Sequence, residues 1–442
     1  MDTASSASVS GWGRHPSTRG RQVCSEDLWS VTRQAHLTRG LGRAYGDAAL
    51  PAPGDQWVAC SARANRLRSF DAESGWLVAE AGLSLSEIYR LLLPRGFFIP
   101  VSPGTRFVTL GGMVAADVHG KNHHRDGCIG AHIGWLRMRL ADDAVVTCSP
   151  TEHADLFHAT VGGMGLTGHI LEVAVQLVRV PSPWIYQESE RISDLDTLVH
   201  RLKDAGNRWP MTVAWVDCLA SGKGFGRGTL LLGRWAETSE APSRFPTLAT
   251  PLSVPVTLPD GALAPMLVRA LNGARYHLHR PQHRQGVVHP ESFFYPLDVV
   301  GEWHRLYGPR GFIQYQCVLP ASAGLDAPRR FLELARRVGA HPFLCVVKDS
   351  GPEGPGLLSF PKAGMTVAID VPVKPDLQAI VDRLNEWVIT QEGRVYLAKD
   401  GTTRADHFRA MEPRLDRFLQ VRRRWDVQGR LRSAQSIRLF GW

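Results

Sequence analysis

The chain has 442 residues, more than an ordinary single hydrophobic core contains, and its length therefore predicts two domains. Its composition, 44% hydrophobic and 21% charged residues, is that of a soluble globular protein, and no apolar run approaches the roughly 18–20 residues that span a bilayer. The net charge of +9 favours anionic partners such as a phosphorylated substrate, a phospholipid surface or nucleic acid, although no recognised nucleic-acid-binding motif is present.

The N-terminal residues lack the apolar segment of a secretory signal, so we expect none, with export by another route left open. Seven cysteines are scattered along the chain without a C-x-x-C pair, which favours a reduced compartment and argues against a disulfide framework or a zinc site. His119, His123 and His124 have a spacing at which two could hold a metal on one helix face, but Gly120 and Asn122 disfavour a helix there. We therefore predict no metal site.

The first distinctive stretch in the chain is TRGLGRAYGD at 38–47, after some 20 residues that we expect to be poorly ordered apart from Trp12 as an anchor. It is similar to a dinucleotide-binding fingerprint, but its glycine spacing is wrong, and Pro51 and Pro53 follow where a helix should begin. A phosphate-binding loop between two short strands fits better. An ordinary glycine-rich turn is the alternative.

Short strands are predicted at 56–60, 76–79, 97–101, 133–140, 145–147 and 169–178. A helix is predicted over 84–93, because Ser84 and Glu87 form a capping box and leucines and an isoleucine then share one face.

The segment 103–124, PGTRFVTLGGMVAADVHGKNHH, combines small residues with a polar, histidine-rich end. Gly104, Gly111 and Gly112 allow close approach of a ligand to the backbone, whose N–H groups can hold phosphate oxygens. The alanines at 115 and 116 leave room for a large flat group, beside which polar side chains follow. Together with a third glycine cluster at 161–168, this pattern predicts a dinucleotide contacted from several sides, with its reactive ring next to His119.

The composition changes at 181–183, where we place a domain boundary. Beyond it the sequence predicts strands at 211–217, 229–232, 311–318, 342–348 and 365–371, and helices at 194–203, 327–338 and 377–391, an α+β layer. The segment 275–290, with six basic or histidine residues in its first ten, is predicted to be an exposed loop. A strand at 393–397 and a basic helix pair at 405–425 are expected to return to the first domain.

Six motifs together identify a family resemblance: RGLGRAYGD, SPGTRFVTLGGMVAADVHGKNHH, TVGGMGLTG, EWHRLYGPRGFIQYQ, LSFP and YLAKD. They resemble the decaprenylphosphoryl-β-D-ribose 2-oxidases, flavoenzymes of the vanillyl-alcohol-oxidase-like FAD superfamily. The resemblance implies a two-domain α+β fold of the vanillyl-alcohol-oxidase/PCMH type. Its FAD domain would be discontinuous (1–182, with 394–442 returning to it) and its antiparallel-sheet substrate domain would cover 183–393.

The resemblance also implies FAD with its pyrophosphate on the 39–47 loop and its isoalloxazine near His119. Covalent members of the superfamily carry a His or Cys in this loop. Here that place holds Ala44 and Tyr45, so we expect non-covalent FAD. The implied cofactor contacts are Arg39, Gly40, Leu41, Gly42, Arg43, Ala44, Tyr45, Gly46, Asp47, Gly104, Thr105, Thr109, Leu110, Gly111, Gly112, Ala116, Asp117, Val118, His119, Asn122, Gly165, Ile170 and Tyr396.

Lys399 in YLAKD matches the family's substrate-side lysine, and we expect it to be catalytic. It would hold the substrate hydroxyl or the flavin N1 region where negative charge develops, or, as a neutral amine, deprotonate the hydroxyl. The alternative from the residues alone is a surface salt bridge with Asp400. His119 is expected to orient the flavin or relay a proton, or else to be a packed structural histidine.

Trp215, Gln316 and Lys348 match residues that line the substrate pocket. Thr366 and Ala368 stand where mycobacterial members carry an Asn and a Cys facing the flavin. The missing thiol predicts insensitivity to inhibitors that bond to it.

The reaction implied is oxidation of the 2-hydroxyl of a polyprenylphosphoryl-β-D-ribose to the 2-keto sugar, with hydride transfer to flavin N5. It would begin the epimerisation to polyprenylphosphoryl-arabinose for cell-wall arabinan. We expect a short-chain dehydrogenase/reductase partner and a quinone or other electron acceptor, and we expect no nucleic-acid partner. The expected location is the cytoplasm or the periphery of the inner membrane, with the periplasmic face left open. Two alternatives are an FAD-dependent oxidase of a soluble alditol or sugar lactone, and a non-catalytic basic protein that binds membrane or nucleic acid.

Overall fold

The computed structural model describes residues 6–54, 56–248 and 252–442. Its strands are, in chain order, β1 (Ala7–Ser10), β2 (Ser17–Cys24), β3 (Leu37–Arg39), β4 (Trp57–Cys60), β5 (Leu67–Phe70), β6 (Trp76–Glu80), β7 (Phe97–Phe98), β8 (Ile133–Arg139), β9 (Val145–Cys148), β10 (His169–Gln176), β11 (Val178–Arg179), β12 (Ile185–Ile192), β13 (Met211–Val216), β14 (Gly228–Trp235), β15 (Leu252–Ser253), β16 (His283–Val288), β17 (Val300–Gly301), β18 (Phe312–Pro320), β19 (Cys345–Ser350), β20 (Gly364–Pro372) and β21 (Arg394–Val395). Its α-helices are α1 (Leu28–Val31), α2 (Leu85–Leu92), α3 (Leu110–Ala115), α4 (His123–Asp126), α5 (Ala154–Thr160), α6 (Leu195–Gly206), α7 (Pro265–Leu278), α8 (Pro290–Phe294), α9 (Ala327–Arg337), α10 (Leu377–Thr390), α11 (Ala405–Met411), α12 (Leu415–Trp425) and α13 (Ala434–Phe440).

The N-terminal part contains two large sheets and the two-stranded ladder of β7 and β11. One has the order β1-β2-β4-β3, with parallel pairing of β4 to both β2 and β3. The other has the order β5-β6-β10-β8-β9 and is antiparallel. Strand β10 is central and buried along almost its whole length, which explains its run of apolar residues. The capping box predicted for α2 is confirmed, since Ser84 and Glu87 bond each other's backbone N–H.

The second part is built on an eight-stranded antiparallel sheet with the order β16-β12-β14-β13-β19-β20-β18-β21. Helix α6 packs against β13 and β14, and α9 and α10 pack beside one another in the same hydrophobic core. These three helices begin within a residue or two of their predicted starts, because each has a clear apolar face. Mixed helices and antiparallel sheets confirm the predicted α+β fold class.

The C-terminal helices contact both parts of the molecule. Helix α11 packs against α10, and α12 packs against α5. An ion pair 2.7 Å long joins Arg438 of α13 to Asp47 in the first glycine-rich loop. These are contacts that a segment returning to the first domain makes, and the three-segment division of the chain stays a prediction.

Two local predictions are wrong. Residues 6–20 are not poorly ordered as a segment, because β1 and β2 form a ladder that continues into β4; residues 1–5 lie outside the described part. The segment 275–290 is not a loop but holds the end of α7, edge strand β16 and the start of α8. Its basic side chains are mostly exposed, and an exposed edge strand carries little of the hydrophobic alternation by which strands are recognised.

Within the described ranges no helix is long and apolar enough to cross a membrane. The seven cysteines are free thiols. The described residues contain no group of three or more His, Cys, Asp or Glu side chains placed to hold a metal ion.

Candidate active site

A cavity of about 440 Å³ lies between the two N-terminal sheets and the eight-stranded sheet. All three glycine-rich segments contribute to its wall, as do β13, β18, β19 and β20. The predicted site residues that line it are Gly40, Leu41, Gly42, Arg43, Ala44, Tyr45, Gly104, Thr105, Thr109, Gly111, Gly112, Ala116, Val118, His119, Gly165, Ile170, Trp215, Gln316, Lys348, Ala368, Tyr396 and Lys399.

The first glycine-rich loop begins where β3 ends. The Arg39 guanidinium holds the loop from behind by donating to the carbonyls of Ala49 (3.1 Å) and Ser10 (2.9 Å). Gly42 has a φ of +66°, which an L side chain rarely adopts. The N–H groups of residues 41–44 donate to no other described residue, so they are free to bind an anion.

In the second glycine-rich segment, 103–124, two of the backbone N–H groups predicted to hold phosphate bond other parts of the protein instead. The N–H groups of Leu110 and Gly111 donate to the carbonyls of Leu83 (2.9 Å) and Ala81 (2.8 Å). Both groups are therefore already engaged within the protein and cannot hold phosphate. Gly111 serves close packing, since a Cβ there would lie 2.9 Å from that of Ala81, whereas a Cβ on Gly104 would meet nothing within 4 Å.

His119 is buried at the centre of a side-chain triad. Its Nδ1 lies 3.1 Å from Lys348 Nζ, and its Nε2 lies 3.0 Å from the side-chain amide of Gln316. Burial above all, and then the charge of Lys348, hold the pKa of His119 well below its usual value, so the imidazole is neutral. The Lys348 ammonium can only donate, so Nδ1 accepts from Lys348 and the proton of the neutral imidazole is assigned to Nε2, which faces the Gln316 side-chain amide.

Lys399 lies half-buried in the cavity wall, with its Nζ 3.7 Å from the centre of the Tyr45 ring. Burial lowers the pKa of Lys399 to about 7; the charge of Lys348 acts in the same direction and that of Asp370 against it. The alternative of a salt bridge with Asp400 is wrong, because Asp400 pairs with Arg438 at 2.8 Å.

The cavity is strongly basic. Burial, the largest cause in each case, lowers the pKa of Lys348 to about 8 and that of Lys121 to about 7. Lys121 donates to the Phe294 carbonyl at 2.9 Å. Two arginines complete the set of cations, while Asp298 is the one carboxylate among the described residues of the wall. The site is therefore suited to an anionic ligand.

Seven predicted site residues do not line the cavity and instead support its wall. Arg39 and Asp47 hold the first loop, and Gly46 packs so closely on the Asp400 backbone that no side chain fits. The other four point into the protein and away from the cavity. Leu110 lies in the hydrophobic core, and Asp117 accepts from Gly130 N and Ser359 Oγ. Asn122 donates to the Pro100 carbonyl, and Thr366 hydrogen-bonds Ser350.

Other wall residues escaped the sequence reasoning. They include Arg275, whose guanidinium lies 4.3 Å above the Trp215 ring, the aromatic pair Phe293–Phe294, and Gln314. Gln314 belongs to the motif EWHRLYGPRGFIQYQ, and the sequence signals for the others are the basic run at 275–284 and the aromatic run FFY at 293–295. Neither run has a spacing that indicates a ligand, since both reach the cavity only through the packing of α7 and α8.

The residues present fit FAD. The free N–H groups of residues 41–44 suit a pyrophosphate, and the open space over Gly104 admits a flat ring. Among the described residues of the wall His119 is the one histidine, and there is no cysteine.

Comparisons with known proteins support the same cofactor class. A family model for an FAD-binding domain matches residues 27–149. The chain is 34% identical to the decaprenylphosphoryl-β-D-ribose oxidase of Mycolicibacterium smegmatis, over 97% of this chain and 96% of that one. It is also 36% identical to an uncharacterised protein of Streptomyces coelicolor, over 77% of this chain and 95% of that one. A putative D-arabinono-1,4-lactone oxidase of Neurospora crassa is 27% identical over 33% of this chain and 26% of its own length.

The similarity to the first of these relatives exceeds 30% identity and extends over nearly the full length of both chains. The protein accordingly belongs, as its motifs predicted, to the decaprenylphosphoryl-β-D-ribose oxidase family of FAD-dependent oxidoreductases that act on CH–OH groups.

Proposed function

We propose that this protein oxidises the 2-hydroxyl of a polyprenylphosphoryl-β-D-ribose to a ketone. The observation that carries the proposal is the half-buried Lys399 amine beside the His119–Lys348–Gln316 triad, in a cavity whose other charged groups are mostly cations. A phosphodiester-linked sugar is anionic and offers hydroxyls, and both features match these donors.

The protein's own residues bind the sugar and handle its proton. Lys399 in its neutral form accepts the hydroxyl proton, because a pKa of about 7 leaves much of the amine unprotonated near neutral pH. His119 holds the Lys348 ammonium toward the cavity, and Lys121 and Arg275 neutralise the phosphate. When bound, FAD supplies at N5 the acceptor for the hydride that the sugar carbon loses.

The same proposal covers the attachment of FAD, the partner reductase, the electron acceptor and the location of the protein. FAD is non-covalent, because Ala44 and Tyr45 stand where covalent members of the superfamily carry the His or Cys that bonds to the ring. The keto product requires a reductase of the short-chain dehydrogenase type to complete the epimerisation toward arabinose, and the reduced flavin requires a quinone or another acceptor. Because its substrate is linked to a lipid, the protein works at a membrane surface, either as a cytoplasmic protein or as a peripheral protein of the inner membrane.

The test is an anaerobic absorption spectrum of the purified holoenzyme before and after addition of farnesylphosphoryl-β-D-ribose. Bleaching of the flavin bands is expected, and farnesyl phosphate without the sugar serves as the control. Bands that persist with the sugar lipid would refute the substrate assignment. Lack of flavin bands after reconstitution with FAD would refute the whole proposal.

A second candidate is oxidation of a soluble sugar lactone or alditol. It is favoured by the partial likeness to lactone oxidases, including the L-gulonolactone oxidase of Mus musculus, 29% identical over 26% of this chain. Bleaching by L-gulonolactone and not by the sugar lipid would select it.

A further inference from the structure

An amphipathic helix with its apolar side toward solvent lies at the wall of the cavity. Helix α7 buries Val268 and Asn272 against the body of the protein, where Asn272 donates to Asp217 at 3.3 Å. Its opposite side carries exposed apolar residues at helical spacing, at positions 266, 267, 270, 271, 274 and 278. Met266 is 83% exposed and Leu278 is 75% exposed, unusual values for such large apolar side chains.

A second exposed apolar set borders the same cavity. Leu252 of β15 pairs with Val300 of β17, and Leu252 is 83% exposed. The residues on either side of β17, Asp298 and Trp303, line the cavity, just as Arg275 of α7 does. Exposed apolar side chains thus occur on two segments that each contribute to the cavity wall.

The charged side chains that α7 and the residues just after it contribute are all basic. Residues 261–290 contain four arginines and four histidines and neither Asp nor Glu. Apolar side chains flanked by arginines, on a helix that does not span a bilayer, are the features by which interfacial helices bind anionic lipid surfaces.

We propose that the exposed side of α7, together with Leu252 and Val300, docks the protein on an anionic lipid bilayer and so brings the cavity to lipid-linked substrate. The inference rests on the proposed function for its purpose, and the docking itself is measured without turnover. The apolar side chains enter the bilayer and leave water, while the arginines meet the phosphates of the headgroups.

The experiment compares holoenzyme variants by co-sedimentation with vesicles of phosphatidylcholine containing 30% phosphatidylglycerol. The double variant Met266→Asp/Leu278→Asp is expected to bind about tenfold or more weakly than the wild type. Val427→Asp, at a position 86% exposed on a C-terminal loop, is the matched control and should bind as the wild type does. Because both substituted positions are largely exposed, the double variant should keep the wild-type Tm and should bleach normally with farnesylphosphoryl-β-D-ribose.

Equal sedimentation of wild type and double variant would overturn the inference, as would a wild type that does not sediment. A wild-type dimer that the double variant converts to a monomer would show that the surface binds a second copy instead. If the wild type sediments and the double variant does not, but neither is bleached by the sugar lipid, the docking surface is supported and the proposed function fails.

Discussion

The titration of Lys399 gives the sharpest prediction about the chemistry. Burial and the neighbouring charge of Lys348 disfavour the ammonium form, which lowers the pKa of Lys399 to about 7. The neutral amine therefore rises from about 10% at pH 6 to about 90% at pH 8. If that amine is the base, kcat/KM should rise with pH, pass its midpoint near pH 7 and then level off.

Lys399→Met removes the amine and keeps an unbranched chain of similar length. We expect kcat/KM to fall about a hundred- to ten-thousand-fold, the usual range for loss of a general base, and the rise near pH 7 to disappear. The assay is stopped-flow flavin bleaching without oxygen from pH 5.5 to 9. Lys223→Met, at an exposed position, is the matched control.

Two results would refute the reasoning. A rate that falls above pH 7 would mean that the ammonium is the working form. A Lys399→Met variant that keeps the rise would assign the titration to another group, of which Lys121, with a pKa of about 7, is the first to test.

Four further outcomes are expected. Lys348→Met removes a nearby cation, so the midpoint of the kcat/KM profile should move to higher pH. Arg438→Ala leaves the carboxylates of Asp47 and Asp400 buried without their shared cation and should lower the free energy of unfolding in urea by about 3 kcal/mol, against less than about 1 kcal/mol for the exposed Arg409→Ala. Gly104→Val places a side chain in open space of the cavity, where it contacts no other residue. It should weaken FAD binding, measured by flavin fluorescence, about tenfold or more without lowering the Tm of the apoprotein. Iodoacetamide should leave the wild type active and inactivate Ala368→Cys, whose thiol would enter the cavity; resistance of that variant would contradict the placement of β20.

Local signals in the sequence were sufficient for much of the fold. The capping box at Ser84 and the apolar faces of α6, α9 and α10 are properties of neighbouring residues, and each helix begins where they predict within a residue or two. The glycine-rich motifs likewise predicted segments that meet at one cavity. Glycine has no Cβ, so its conformational freedom can be recognised from the residue type alone.

Other features depended on contacts between residues far apart in the chain. The sequence does not show that the amides of Leu110 and Gly111 are taken by carbonyls of the preceding segment, or that the basic run at 275–284 belongs to a helix and an edge strand. Both are set by packing against elements that no short-range pattern encodes.

The chemistry of the site divides in the same way. The sequence alone determined the family and the cofactor class, and it predicted a functional role for the lysine in YLAKD. The tertiary structure decided that the Lys399 amine lies over the Tyr45 ring and that Asp400 pairs with Arg438 instead of with Lys399. It also decided that His119 lies between Lys348 and Gln316. A lysine's charge state depends on burial and on neighbouring charges within a few ångströms, and only the folded chain brings those together.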